Sequence, residues 1–306
     1  MKKFITLLLM TAIVLSTLVG CSTNEKEKST ISSDKGDKIK VVVSFNPLRE
    51  FAMAVGKDKI QVVTMVPEGV EPHDFEPKVK DLLELTEAKV FVYNGLGMEN
   101  WVDKSLSSID NKNLNVVDAS KGSNLIKNTS EDVIKEHGQY DPHIWLSLQE
   151  AKVEAKNIKD ALVKVDEKNK DYYEKNYEEF SKSLDSLYTE YKSKLGSLQN
   201  KSFVTGHAAF AYLCRDFGLN QQSVEGVFAE GEPTAAKLKE LVEYAKNNNV
   251  KTIFVEELAS PKVSETLANE VNAKVQKIYT IESKEDSKTY MDAMRENLDN
   301  IYNSLK

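Results

Sequence analysis

From Ile39 onward, short runs rich in Val, Ile, Phe and Tyr alternate with amphipathic stretches, and the scheme occurs twice, on either side of one long unbroken helical stripe. That alternation leaves few folds open. Strands joined through helices run parallel, and a parallel sheet needs cover on both faces. In the first half, Ile39–Phe45, Ile60–Pro67, Lys89–Asn94 and Leu114–Ala119 read as strands. Pro47–Val55 and Pro77–Ala88 read as helices, each with proline in its first turn. In the second half, Phe203–Gly206, Ser223–Phe228, Lys251–Glu257 and Lys274–Thr280 read as strands. Ala208–Phe217, Thr234–Asn247, Ser264–Val271 and Lys288–Leu305 read as helices.

Between the halves, apolar residues recur at Tyr173, Tyr177, Phe180, Leu184, Leu187, Tyr191, Leu195 and Leu198. Steps of three and four make a single stripe on one helix, about 45–50 Å long at 1.5 Å per residue. A one-sided, tyrosine-rich stripe suits packing across two domains better than the tight seam of a dimeric coiled coil. The expected fold is α/β: two similar domains with mostly parallel sheets, joined by one long backbone helix, acting as a monomer. The expected boundaries are 39–165, 166–198 and 199–306.

The first 38 residues are of another kind. Lys2 and Lys3 precede an uncharged apolar run from Phe4 to Val19, and Leu18-Val19-Gly20-Cys21 closes it. This is the pattern of a secretory signal peptide over residues 1–20 with a bacterial lipobox, and Cys21 is the expected lipidation site. The competing reading is an uncleaved membrane anchor; both put the remaining chain outside the cytoplasm. Residues 22–38 carry a single large apolar residue, Ile31, and with Cys21 form a lipidated tether reaching about 20–25 Å. Cys214 is then the only other cysteine, so no disulfide framework is available, and its apolar neighbours predict a buried thiol. Without Lys2 and Lys3, 39 basic residues face 48 acidic ones, a net charge of −9, which argues against nucleic acid as a partner.

The chemistry-bearing residues are sparse. The chain has four histidines, and three of them, His73, His143 and His207, fall with Glu282 at intervals of 70, 64 and 75 residues. Each is read as following an apolar run at a strand end. In open α/β folds ligands bind beyond the carboxyl ends of strands, so the four could converge. Three imidazoles and a carboxylate make the four-coordinate set that Zn²⁺ takes. His73 lies between Pro72 and Pro77, in a loop that proline stiffens. His143 follows Pro142 and precedes Ile144-Trp145-Leu146, at the edge of a core. His207 sits at a strand–Gly–helix junction, where a helix N-terminus disfavours imidazolium; neutral imidazole is what a metal requires. Glu282 follows the last strand, and Glu285 and Asp286 stand near enough to substitute. Alone, His73 could be a solvated loop histidine and His143 a structural one hydrogen-bonded to backbone, whereas a capping role for His207 is the weaker alternative because His is a poor cap. His137, in a polar stretch, is expected to be solvated, with metal capture as the lesser reading.

Gly95-Leu96-Gly97-Met98-Glu99-Asn100 lacks the last glycine of a dinucleotide fingerprint and reads as a tight turn. P-loop, His-Glu-x-x-His and serine-elbow motifs are absent from the sequence.

Taken in order, the lipobox, Pro72-His73-Asp74-Phe75-Glu76-Pro77, Asn94 to Trp101, Asp141-Pro142-His143-Ile144-Trp145-Leu146, Thr205 to Leu213 and Glu230-Gly231-Glu232-Pro233-Thr234 resemble the zinc- and manganese-binding solute receptors of ABC importers, the cluster A-I lipoproteins. The resemblance covers essentially the whole mature chain. It implies two α/β domains around a backbone helix, with metal in the cleft between them. It also implies a partner permease and ATPase, and an extracytoplasmic protein held to the outer face of the cell membrane by its lipid. By position it implies His73, His143, His207 and a carboxylate after the last strand as ligands, with Zn²⁺ as the transported ion. Manganese members tend to carry Glu where this chain has His207, which favours zinc over a manganese receptor. Tyr279-Thr280 departs from the family's usual Asn- or Asp-Pro, and of its long His-rich loop only His137 remains. Two further readings stand beside this one. A secreted zinc hydrolase would leave the fourth metal position to water and set Glu282 off as a base, and an adhesin would use an exposed patch.

Overall fold

The computed structural model describes residues 38–229, 233–258 and 261–306. The reading of residues 1–20 and of Cys21 lies outside them. The first half runs β1 (Ile39–Val43), α1 (Asn46–Gly56), β2 (Ile60–Thr64), α2 (Val79–Glu87), β3 (Val90–Tyr93), α3 (Val102–Ser107), β4 (Asn115–Asp118), α4 (Glu131–His137) and α5 (Leu148–Val165). The long helix is α6 (Lys170–Gly196), 27 residues. After it come β5 (Ser202–Thr205), α7 (Ala211–Phe217), β6 (Asn220–Ser223), α8 (Ala235–Asn247), β7 (Thr252–Val255), α9 (Pro261–Val271), β8 (Lys274–Lys277) and α10 (Tyr290–Ser304).

Both sheets are wholly parallel and share one topology, with strand orders β2-β1-β3-β4 and β6-β5-β7-β8. The period of two along each strand sends side chains to different cores. In β1, Val41 and Val43 enter the main core, whereas Val42 joins Phe91, Leu85 and Trp101 on the other face. In the second half Phe203 and Phe254 enter the main core, and Val204 and Ile253 a separate cluster with Leu241 and Leu267.

The main core belongs to both halves. It collects residues of α1, α5, α6, α7 and α10 with one face of each sheet. Helix α6 packs on α1 and α5 from the first half and on α7 and α10 from the second. Its stripe is the expected one: Tyr173, Leu184, Leu187, Tyr191 and Leu195 are all fully buried.

Three expectations need correction, and one helix is unanticipated. The edge strand β6 is the polar run Asn220–Ser223, not Ser223–Phe228, because an edge strand needs little burial, and the apolar residues after it pack as a loop. Helix α7 begins at Ala211 rather than Ala208. Helix α5 has no counterpart in the sequence reading; its stripe of Leu148, Ala151, Ala155, Ile158 and Leu162 is partly alanine and contrasts weakly in hydropathy. His143 follows no strand: it lies beyond α4 and opens a single 3₁₀ turn, Ile144–Leu146, that leads into α5. Among the described residues, no helix is long and apolar enough to cross a membrane.

Candidate metal centre

Four loops meet beyond the carboxyl ends of the strands. The β2–α2 loop supplies His73, the turn before α5 His143, the β5–α7 loop His207 and the β8–α10 loop Glu282. One ligand atom from each lies within 4.8 Å of all the others. His143 Nε2 is 3.3 Å from His73 Nε2 and 3.4 Å from His207 Nε2. Glu282 Oε1 stands 3.5, 3.7 and 3.9 Å from the Nε2 atoms of His143, His73 and His207. A tetrahedral Zn²⁺ with bonds of about 2.0–2.1 Å sets its ligand atoms about 3.3–3.4 Å apart. The spacings of His143 from His73 and His207 fit that figure, and Glu282 Oε1 lies a few tenths of an ångström wide of it, while the four atoms as a group are only within 4.8 Å of one another.

Each candidate ligand is aimed by local chemistry. His143 Nδ1 donates to Asp141 Oδ1 at 2.8 Å, which keeps Nε2 as the nitrogen that faces inward. Asp141 is held in turn, because its backbone carbonyl accepts from Tyr212 Oη at 2.7 Å. The backbone N–H of His207 donates to Glu256 Oε1 at 3.2 Å. This needs Gly206, where a Cβ would lie 1.9 Å from Glu256 Oε2. Glu282 Oε2 accepts from Thr280 Oγ1 at 2.8 Å, while Oε1, turned to the histidines, has no hydrogen bond among the described residues. Ile281 precedes it with φ +64°, a costly value for a β-branched residue. Asn46 Nδ2 secures that turn by donating to the carbonyls of Ile281 and Ser283 at 3.0 and 3.1 Å.

Burial governs the charge states. It holds His73 down at about 3 and His207 at about 4, aided for His73 by the neighbouring His143 and opposed in both by Glu282, so both rings are neutral. For His143 burial acts downward too, but the Asp141 charge and hydrogen bond, with Glu282, outweigh it and raise the ring to about 9. Burial would raise Glu282, yet the His143 contact and the other two imidazoles hold it near 2. The metal-free site is thus one imidazolium between two carboxylates, an arrangement a cation can replace.

The other candidates lie elsewhere. Glu285 and Asp286 pair with Lys277 at 3.4 and 2.9 Å instead of joining the histidines. His137 is not a solvated loop residue. It ends α4, and its ring stacks on Phe228. Cys214 is buried, and burial pushes its thiol well up. Asp141, Thr280 and Glu256 carry no sequence signal as aiming residues, although Asp141 stands two positions before a ligand candidate.

Known proteins share this arrangement of the chain. The chain is 40% identical to the high-affinity zinc uptake system protein ZnuA of Bacillus subtilis, over 99% of this chain and 98% of that one. It is 43% identical to a putative metal-binding protein of Treponema pallidum, over 87% of each. Among solved structures, the laminin-binding protein of Streptococcus agalactiae, described as an adhesin with metal-transporting activity, matches with a TM-score of 0.79 at 35% identity, over 88% of this chain and all of that one. The family model for the periplasmic zinc-uptake complex component A matches residues 41–304, nearly all of the described chain and every loop of the metal centre, and this chain belongs to that family.

Proposed function

We propose that the chain is an extracytoplasmic receptor that binds one Zn²⁺ through His73, His143, His207 and Glu282 and delivers it to the permease and ATPase of a metal importer. The observation that carries this reading is the convergence of four ligand atoms, from four distant loops, within 4.8 Å. Zinc is the metal named for the ZnuA relative. Three nitrogens and one oxygen suit it better than Ca²⁺ or Mg²⁺, which take six or more oxygens, and better than manganese, which favours carboxylate and water. The position of Glu282 Oε1 near the fourth vertex supports a closed shell over a hydrolase, whose fourth position holds water. On this reading residues 1–20 are a signal peptide and Cys21 carries the lipid. Residues 22–38 tether a monomer to the membrane, and residues 39–165 and 199–306 form lobes about the helix at 166–198.

Metal content by mass spectrometry tests it. Purified protein is expected to carry about one zinc per chain, and His207→Ala and Glu282→Ala to lose most of it, because each empties one vertex of a four-coordinate site. Full zinc in His207→Ala removes that residue from the site and the reading with it.

A further inference from the structure

One buried aromatic is unaccounted for by the metal centre. Phe228 belongs to the second half, on the loop after β6, and its side chain is only 4% exposed. Both rings it meets belong to the first half. Its centroid is 3.9 Å from that of His137 at an interplanar angle of 14°, a face-to-face stack. It is 5.1 Å from His73 at 73°, an edge contact. The His137 seat is itself fixed to the first half. A Cβ on Gly97 would lie 1.8 Å from the His137 carbonyl oxygen, so α4 ends in close contact with the Gly95–Gly97 turn.

His73 is the candidate ligand that most needs such support. His143 is oriented by a ring hydrogen bond to Asp141. The backbone N–H of His207 is fixed by Glu256. His73 Nδ1 has no hydrogen bond among the described residues, and its loop, 65–78, contains neither helix nor strand. Apart from the 3.3 Å contact of its Nε2 with His143 Nε2, its ring is held by packing, and Phe228 is an aromatic wall of that packing that comes from the other half.

We propose that Phe228, seated on the ring face of His137, is a positioning residue for metal retention: it holds His73 in the site and excludes water there. The inference rests on His73 being a ligand. It gives His137 a task as an aromatic surface. The group of possible metal ligands within 4.8 Å of one another does not include His137.

The test follows zinc release from the loaded full-length chain into excess EDTA by stopped flow, with zinc stoichiometry and association rate measured alongside. Phe228→Ala and His137→Ala are expected to release zinc about three- to tenfold faster, the range one aromatic pair supports, with association little changed. His137→Phe keeps the stack without an imidazole and is expected to restore release to within about twofold of wild type. Wild-type release from Phe228→Ala overturns the proposal. So does His137→Phe behaving like His137→Ala, which would make the imidazole nitrogens the part that matters. If Phe228→Ala fails to fold, the two His137 variants decide the matter. His73→Ala separates the two levels: full, tightly held zinc in that variant sinks the ligand assignment itself, whereas normal loss there with unchanged release in Phe228→Ala sinks only the role of Phe228.

Discussion

Asp141 shows how much of the candidate metal centre depends on a residue outside the group of possible ligands. It takes the Nδ1–H of His143 and, through the same oxygen, the His143 backbone N–H at 2.9 Å. Its charge is the chief upward influence on that ring. Such partners typically contribute 10–100-fold in metal affinity. Asp141→Asn keeps the shape and removes the charge, so zinc affinity is expected to fall about 10- to 100-fold in a competition titration with a chromophoric chelator. Unchanged affinity would mean that His143 is oriented by packing alone. Glu282 likewise emerges from its neighbours Glu285 and Asp286 only through folding. The left-handed backbone at Ile281 turns one carboxylate inward, while Lys277 draws the others away.

Helix α5 illustrates what one element can bury. Glu154 sits on it fully buried, and neither carboxylate oxygen has a hydrogen bond among the described residues. Burial first, then the charges of Glu150, Glu99 and Asp118, hold its pKa well above 4.5. The folded state therefore keeps a proton that the unfolded chain releases, and Glu154 takes stability away as pH rises above its unfolded value. Glu154→Gln is expected to raise the melting temperature relative to wild type by more near pH 7.5 than near pH 4.5. A difference independent of pH would show that Glu154 is ionised and hydrated. On α6, Leu187 is fully buried in the shared core, and Leu187→Ala is expected to cost about 2–5 kcal/mol in chemical denaturation. A cost below about 1 kcal/mol would mean that the long helix is a spacer, not part of the core.

At the scale of the whole molecule, the two sheets share one interior through one face of each, with a smaller separate cluster on the other face of each. One core runs from Val41 through Leu187 to Ile301, and the described residues form one compact unit. The metal-free chain is accordingly expected to unfold in a single transition. Both tryptophans, Trp101 and Trp145, lie in the first half, so their fluorescence reports there while far-UV circular dichroism reports on both. The two curves are expected to coincide; separate midpoints would refute the shared core as the unit of cooperativity. If zinc is held by the proposed ligands from both halves, it is then expected to raise the one midpoint as its concentration increases.

Periodicity alone carried much of this architecture. Strand runs of β-branched residues separated by amphipathic helices imply parallel sheets, and the stripe from Tyr173 to Leu195 implies one long helix, because local hydropathy reports directly which face of an element is buried. The ligand candidates were also legible: histidines are rare here, and their prolines and glycines mark rigid loops. Folding had to supply the rest. No spacing along the chain says that His143 precedes a 3₁₀ turn, that Glu282 and not Glu285 faces the histidines, or that Phe228 crosses from one half to stack on His137. Those outcomes depend on contacts made only in the folded chain, the stack of Phe228 on His137 among them, and such contacts leave no trace in a pattern that repeats every two or four residues.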